Sequence, residues 1–163
     1  MLSIRPATFQ DLPAIMNVLD AGRAIMLASG NPNQWPAGYP TEAMVMADIN
    51  SSVGRVMETD GVIVAYFACI PSPDPTYAVI EKGDWLDNDE PYYVVHRIAK
   101  LPTVHGVFQA MMGYLEKITD NIRMDTHRDN RIMQHNLAKY GFHYCGIIHI
   151  ASGAERLAYQ RLK

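Results

Sequence analysis

The strand-like runs of this chain are joined in two different ways, and few sheets accommodate both. In the first half, Val53 to Glu58 and Val62 to Ile70 are β-rich and meet across Thr59-Asp60-Gly61. Asp-Gly supplies the positive φ angles of a tight hairpin turn, so these two runs are antiparallel neighbours. In the second half, helical runs alternate with strands. Tyr92 to Ala99 is followed by Val107, Met111, Leu115 and Ile118 at helical spacing. Ile122 to Asp125 is followed by Ile132, Met133, Leu137 and Tyr140, again at helical spacing. A strand–helix–strand step favours parallel pairing. One mixed sheet with helices on both faces satisfies both kinds of connection.

The flanking segments extend this pattern. Leu2 to Ala7 reads as a first strand. Thr8 caps a helix with Asp11 as its capping-box partner, and Leu12, Ile15, Met16, Leu19 and Met26 form its apolar stripe up to Gly30. Asn31 to Pro40 is rich in proline and reads as a loop carrying Trp35 and Tyr39. Thr41 caps a second helix running to about Ser51. Tyr77 to Glu90 is ambiguous, with a short strand or a helix open around Tyr77 to Lys82. Gly141 ends the last helix, and Phe142 to Ile150 and Arg156 to Leu162 close the sheet. The predicted order is β-α-α-β-β-β-α-β-α-β-β, a mixed α/β arrangement with seven strands.

A chain of 163 residues is the length of one domain, so residues 1–163 are expected to form a single unit. Net charge is −3, and Arg123, Arg128 and Arg131 are a scatter rather than a basic surface, so no nucleic-acid partner is expected. Arg5, Gln10 and Asp11 interrupt any early apolar stretch, and no run approaches the roughly 18 apolar residues of a membrane span. With Cys69 and Cys145 unpaired in spacing, the expectation is a cytoplasmic protein with reduced thiols and no membrane partner. His143, Cys145 and His149 fall on one strand face by alternation, but four-ligand spacing is absent and no metal is expected. Most of the ten methionines sit at helical core positions.

Two stretches carry chemistry. The first runs His96-Arg97-Ile98-Ala99-Lys100-Leu101-Pro102-Thr103-Val104-His105-Gly106-Val107-Phe108, a strand leading through a short loop and a glycine into a helix. Free N–H groups at such a helix start favour phosphate, although a plain strand-to-helix turn has the same outline. The second runs Ile122-Arg123-Met124-Asp125-Thr126-His127-Arg128-Asp129-Asn130-Arg131-Ile132-Met133 and ends at Lys139-Tyr140-Gly141-Phe142.

Together, in this order and at this separation, the two stretches resemble the central motifs of the GNAT superfamily of acyl-CoA N-acyltransferases. Ile4-Arg5-Pro6-Ala7 with Asp11-Leu12-Pro13 resembles the family's opening strand and helix. Gln34-Trp35-Pro36, Gly38-Tyr39-Pro40, the Trp85 region and Arg156-Leu157-Ala158-Tyr159-Gln160 resemble one bacterial-type branch. The resemblance implies a largely antiparallel seven-stranded sheet that splays between strands four and five. It implies acetyl-CoA as co-substrate, with the pantetheine arm bonded to the main chain of Ile98 and Lys100. The pyrophosphate would lie on the main-chain N–H groups of Val104, His105, Gly106, Val107 and Phe108, and Asn130 would reach the cofactor arm. It implies direct attack by a bound amine, small-molecule or peptide, in a monomer or homodimer.

The chain also departs from the family pattern. The loop before Gly106 is short, Phe108 replaces a second glycine, and Leu137 stands where many members carry an acid tyrosine. These departures keep open a second reading, a catalytically weak acyl-CoA-binding sensor or interaction module. His96 precedes Ile98 by two residues and is expected to share its face, either as general base or as a histidine packed in the sheet. His127 is the other catalytic candidate, or a cap for the next helix. Tyr140 reads as a core tyrosine or an alternative hydroxyl. Trp35 and Tyr39 either line an acceptor pocket or staple their loop to the core.

Overall fold

The computed structural model describes residues Met1–Lys163. Seven strands form one sheet: β1 (Ser3–Pro6), β2 (Gly54–Thr59), β3 (Val62–Pro71), β4 (Tyr93–Lys100), β5 (Asn121–Thr126), β6 (His143–His149) and β7 (Glu155–Leu162). Their order is β1-β2-β3-β4-β5-β7-β6, and β4 with β5 is the one parallel pair. The helices are α1 (Leu12–Ala28), α2 (Glu42–Asn50), α3 (Val107–Leu115) and α4 (Arg131–Lys139). The predicted order of elements is the observed one.

Local chemistry accounts for the boundaries. The Asp11 carboxylate accepts from Thr8 N (2.8 Å) and Thr8 Oγ1 (3.1 Å), with a single 3-10 turn over Phe9–Asp11 before α1 begins. Thr41 Oγ1 accepts from Met44 N at the start of α2. Asp60 and Gly61 take φ of 52° and 75°, the turn that the β2–β3 hairpin needs. The ambiguous Tyr77 to Lys82 segment resolves into a 3-10 turn at Pro75–Tyr77 and one bridge, Glu81 to Ile147.

Apolar side chains fill both faces of the sheet. On one face Ile15, Val18 and Leu19 of α1 and Val45 of α2 pack on Val56, Tyr66 and Ala99. On the other, Met111 and Leu115 of α3 and Leu137 of α4 pack on Phe67, Val95, Ile122 and Met124. A third group under the segment between β3 and β4 joins Tyr77 and Trp85 to Val94, Ile148 and Ala158. Burial at roughly 25 cal/mol per Å² of apolar surface makes these three groups the main source of cohesion. Cys69 and Cys145 are free and buried. A bulge between Tyr144 and Gly146 breaks the alternation of β6, so His143 and His149 are exposed while Cys145 is buried. The three do not share a face. No helix is long and apolar enough to cross a membrane.

Candidate active site

The sheet opens between β4 and β5. The two strands pair only at Tyr93 with Ile122 and Val94 with Arg123. Beyond Val94, β4 runs on to Lys100 against β3 alone. The strands therefore splay, and the backbone of β4 borders a gap.

A bulge in β4 shapes that border. Ala68 pairs with His96 and Tyr66 with Ala99, so Arg97 and Ile98 together oppose Phe67. Arg97 takes φ of 56°. A left-handed residue with a side chain costs roughly 1–2 kcal/mol. Asp48 on α2 holds it there, its carboxylate accepting from Arg97 Nε (2.9 Å), Arg97 Nη2 (2.6 Å) and Tyr66 Oη (2.6 Å). Burial, reinforced by the Asp48 carboxylate, raises the Tyr66 hydroxyl well above the ordinary tyrosine pKa.

The bulge overturns the expectation that His96 and Ile98 share a face. Strict alternation would put Val95 and Ile98 on opposite faces, yet both pack against the group containing Phe67 and Cys69. His96, adjacent to Val95, points to the face covered by α1 and α2.

Two cavities meet at this gap. One has a volume of about 380 Å³. Ile98, Lys100, Val104, His105, Gly106, Val107, Phe108 and Asn130 all line it, together with Lys139 of α4 and Tyr140 just after it. Gly106 caps α3 at φ 81°, and a Cβ built on it would meet no atom within 4 Å. The main chain at this helix start thus faces open space, with first-turn N–H groups free of intrahelical partners. No acidic residue occupies that first turn. The arrangement suits an anion. Val104 is the exception, because its N–H already donates to Leu101 O at 3.3 Å. Lys100 Nζ closes the same loop by donating to Val104 O at 3.0 Å. Phe108 packs on Tyr140 with ring centroids 5.0 Å apart. Tyr140 is thus a half-buried wall of the cavity, whereas Leu137 is fully buried in the core.

The second cavity has a volume of about 520 Å³ and shares Met26, Ile98, Asn130 and Met133 with the first. Trp35 and Tyr39 line it, edge to face at 6.1 Å. Trp35 also packs under α1, so it both anchors the loop and borders the cavity. Asn130 caps α4, its Oδ1 accepting from Met133 N at 3.0 Å, while its Nδ2 donates to Gln34 Oε1 at 2.9 Å.

His96 lines this second cavity between two carboxylates. Its Nε2 lies 2.7 Å from Asp74 Oδ2, and its Nδ1 lies 3.9 Å from Asp125 Oδ2. Asp125 Oδ2 accepts from Tyr77 Oη at 2.7 Å. Burial alone would raise the Asp74 carboxyl, but hydrogen bonds from His96 and Thr76 outweigh it and hold the group at about 2. His127 lies elsewhere. Its Nδ1 accepts from Asp129 N at 3.0 Å in the turn before α4, and it borders neither cavity. Burial lowers its pKa, with Arg156 acting in the same direction.

Sequence reasoning missed Asp74, and named Gln34, Asp125 and Arg156 only within motifs and not as cavity groups. Asp74 sits in the proline-rich segment after β3, and nothing in its local pattern announces the reach to His96.

No family model and no curated protein matches the chain. Solved structures do. An acetyltransferase of the GNAT family from Streptococcus agalactiae is 33% identical, with a TM-score of 0.90, over 99% of this chain and 95% of that one. A GNAT-family acetyltransferase from Listeria monocytogenes is 18% identical at a TM-score of 0.73, over 99% and 95%. The ribosomal-protein-S18-alanine N-acetyltransferase of Escherichia coli is 13% identical at a TM-score of 0.65, over 99% and 94%.

Proposed function

The chain belongs to the GNAT family of acetyltransferases, and we propose that, as one domain spanning residues 1–163, it transfers acetyl from acetyl-CoA to a primary amine within a ternary complex. The observation that carries this reading is the meeting of the two cavities at Ile98 and Asn130, beside the open edge of β4. A thioester and an amine entering from opposite sides would be brought into contact there, which removes most of the entropy cost of their encounter.

The roles follow from the two linings. In the first cavity, the N–H groups at the start of α3 and the open space before Gly106 suit the pyrophosphate. Lys139 adds a cation on the facing helix. The main chain of Ile98, which has no partner on β5, would bond the pantetheine arm and polarise the thioester carbonyl in the manner of an oxyanion hole. In the second cavity, an Nε2–H donated to Asp74 leaves Nδ1 of His96 with a free lone pair. That nitrogen takes the proton of the attacking amine. The new N–C bond forms, the C–S bond breaks, and the departing thiolate takes a proton from a water that the protonated His96 then replenishes, since Leu137 is buried and carries none.

A screen of amines with acetyl-CoA, read by release of free CoA thiol, tests the reading. Turnover on at least one amine, falling about 10²-fold in His96→Ala with acetyl-CoA affinity kept within a few fold, is the expected result. Tight acetyl-CoA binding without turnover on any amine would favour a binding module instead.

A further inference from the structure

The second cavity holds a cation that an amine acceptor alone does not call for. Arg156 on β7 is 6% exposed and lines the cavity wall. Its guanidinium donates to two main-chain oxygens, Glu155 O at 2.9 Å and Gln34 O at 3.1 Å. Neither is a counter-charge. The other arginine of the lining, Arg97, is neutralised by two hydrogen bonds to Asp48. No carboxylate pairs directly with Arg156, and Asp125 acts on it only through space, so the guanidinium brings positive charge into a site that must admit an ammonium or amine, where it would repel its own substrate.

Position resolves the conflict. In the β5–β7 ladder Asp125 stands opposite Ala158, two residues from Arg156, so by alternation Asp125 and Arg156 project from the same face. Asp125 in turn lies 3.9 Å from His96 Nδ1. Asp125 thus stands between His96, which also meets Asp74, and Arg156. Burial pulls the Arg156 pKa below the ordinary arginine value, and Asp125 and Tyr39 offset only part of that.

Building on the transferase reading, we propose that the acceptor is a small molecule carrying a carboxylate as well as its amine, an amino acid in the broad sense, and that Arg156 binds the carboxylate while the amine faces His96. A guanidinium presents two parallel N–H groups to a carboxylate, which fixes orientation as well as adding attraction. Arg156 is then a specificity-determining residue. It selects against polyamines, whose second positive charge it would meet, and against peptide N-termini, whose first carboxyl is an amide.

The test compares matched acceptors: phenylalanine, methionine and leucine, each beside its amide and its decarboxylated amine. kcat/KM is read from CoA thiol release. The wild-type protein should prefer the amino acid over both partners by at least about 30-fold for one or more of the three sets. Arg156→Gln should collapse that ratio to about 3-fold or less, chiefly through KM, and Arg156→Lys should keep part of it. Acetyl-CoA affinity within about twofold of wild type would show that the variants fold. Faster turnover of amides or plain amines by the wild-type protein would overturn the proposal and leave the transferase reading standing, as would an undiminished ratio in Arg156→Gln. A panel with no acetylated member of any kind would overturn both.

Discussion

Replacing Asp48 by alanine should come close to unfolding the protein. Asp48 is 5% exposed and is the shared acceptor of Arg97 and of Tyr66, which is fully buried. Removing one partner of a buried ion pair costs about 3–5 kcal/mol, because the other charge stays buried. Stranding the Tyr66 hydroxyl costs about 1–3 kcal/mol more. The two losses share one carboxylate and do not add in full, so about 4–6 kcal/mol is expected. Typical domains have only about 5–15 kcal/mol in hand. Asp48→Asn keeps the shape and one acceptor oxygen and should cost roughly half as much. Urea unfolding followed by far-UV circular dichroism measures both. A loss under about 1 kcal/mol for Asp48→Ala would mean that the Arg97 bulge is held by the sheet alone. The account of how β4 is shaped would then be wrong.

One further substitution and one change of condition follow from the structure. Gly106→Val should weaken acetyl-CoA binding at least about tenfold, or 1.4 kcal/mol, by titration calorimetry, and lower stability by roughly 1–2 kcal/mol through strain at positive φ. Acidification should destabilise the fold between about pH 4 and pH 2. Hydrogen bonding to Arg5, aided by Thr8, holds Asp11 at about 2 against the ordinary 3.8, and Asp74 is held equally low by His96 and Thr76. Both carboxyls bind more protons unfolded than folded in that window, so their contribution is present above pH 4 and lost as pH falls through 2, roughly 1–2 kcal/mol each after solvent screening. Flat stability across that range, measured by urea unfolding at each pH, would contradict the assigned pairs.

The order of elements was legible because it rests on local signals. Asp60-Gly61 dictates a hairpin, Thr8 with Asp11 opens α1, and Gly141 closes α4. Part of the lining of the first cavity was legible too, since Ile98 to Phe108 and Asn130 lie in two contiguous stretches whose order resembles a family, whereas the contribution of α1 was not. What escaped were features set by distant partners. The bulge at Arg97 has no signature in its own neighbourhood, because Asp48 on another helix stabilises it. It turned the simple alternation of His96 and Ile98 into an error, as the bulge at Tyr144 did for His143, Cys145 and His149. Asp74 reaches His96 across 22 residues of sequence, and Arg156 reaches the main chain of Gln34 across 122. Pairings of that separation leave no periodic trace.

Hydrogen exchange of backbone amides, with and without acetyl-CoA, tests the central claim most directly. Binding at the open edge of β4 should slow exchange at Ile98, Lys100 and the first turn of α3 from Gly106 to Gln109, and leave β1 and the α2 surface unchanged. Protection confined to other elements, or none at millimolar acetyl-CoA, would contradict it.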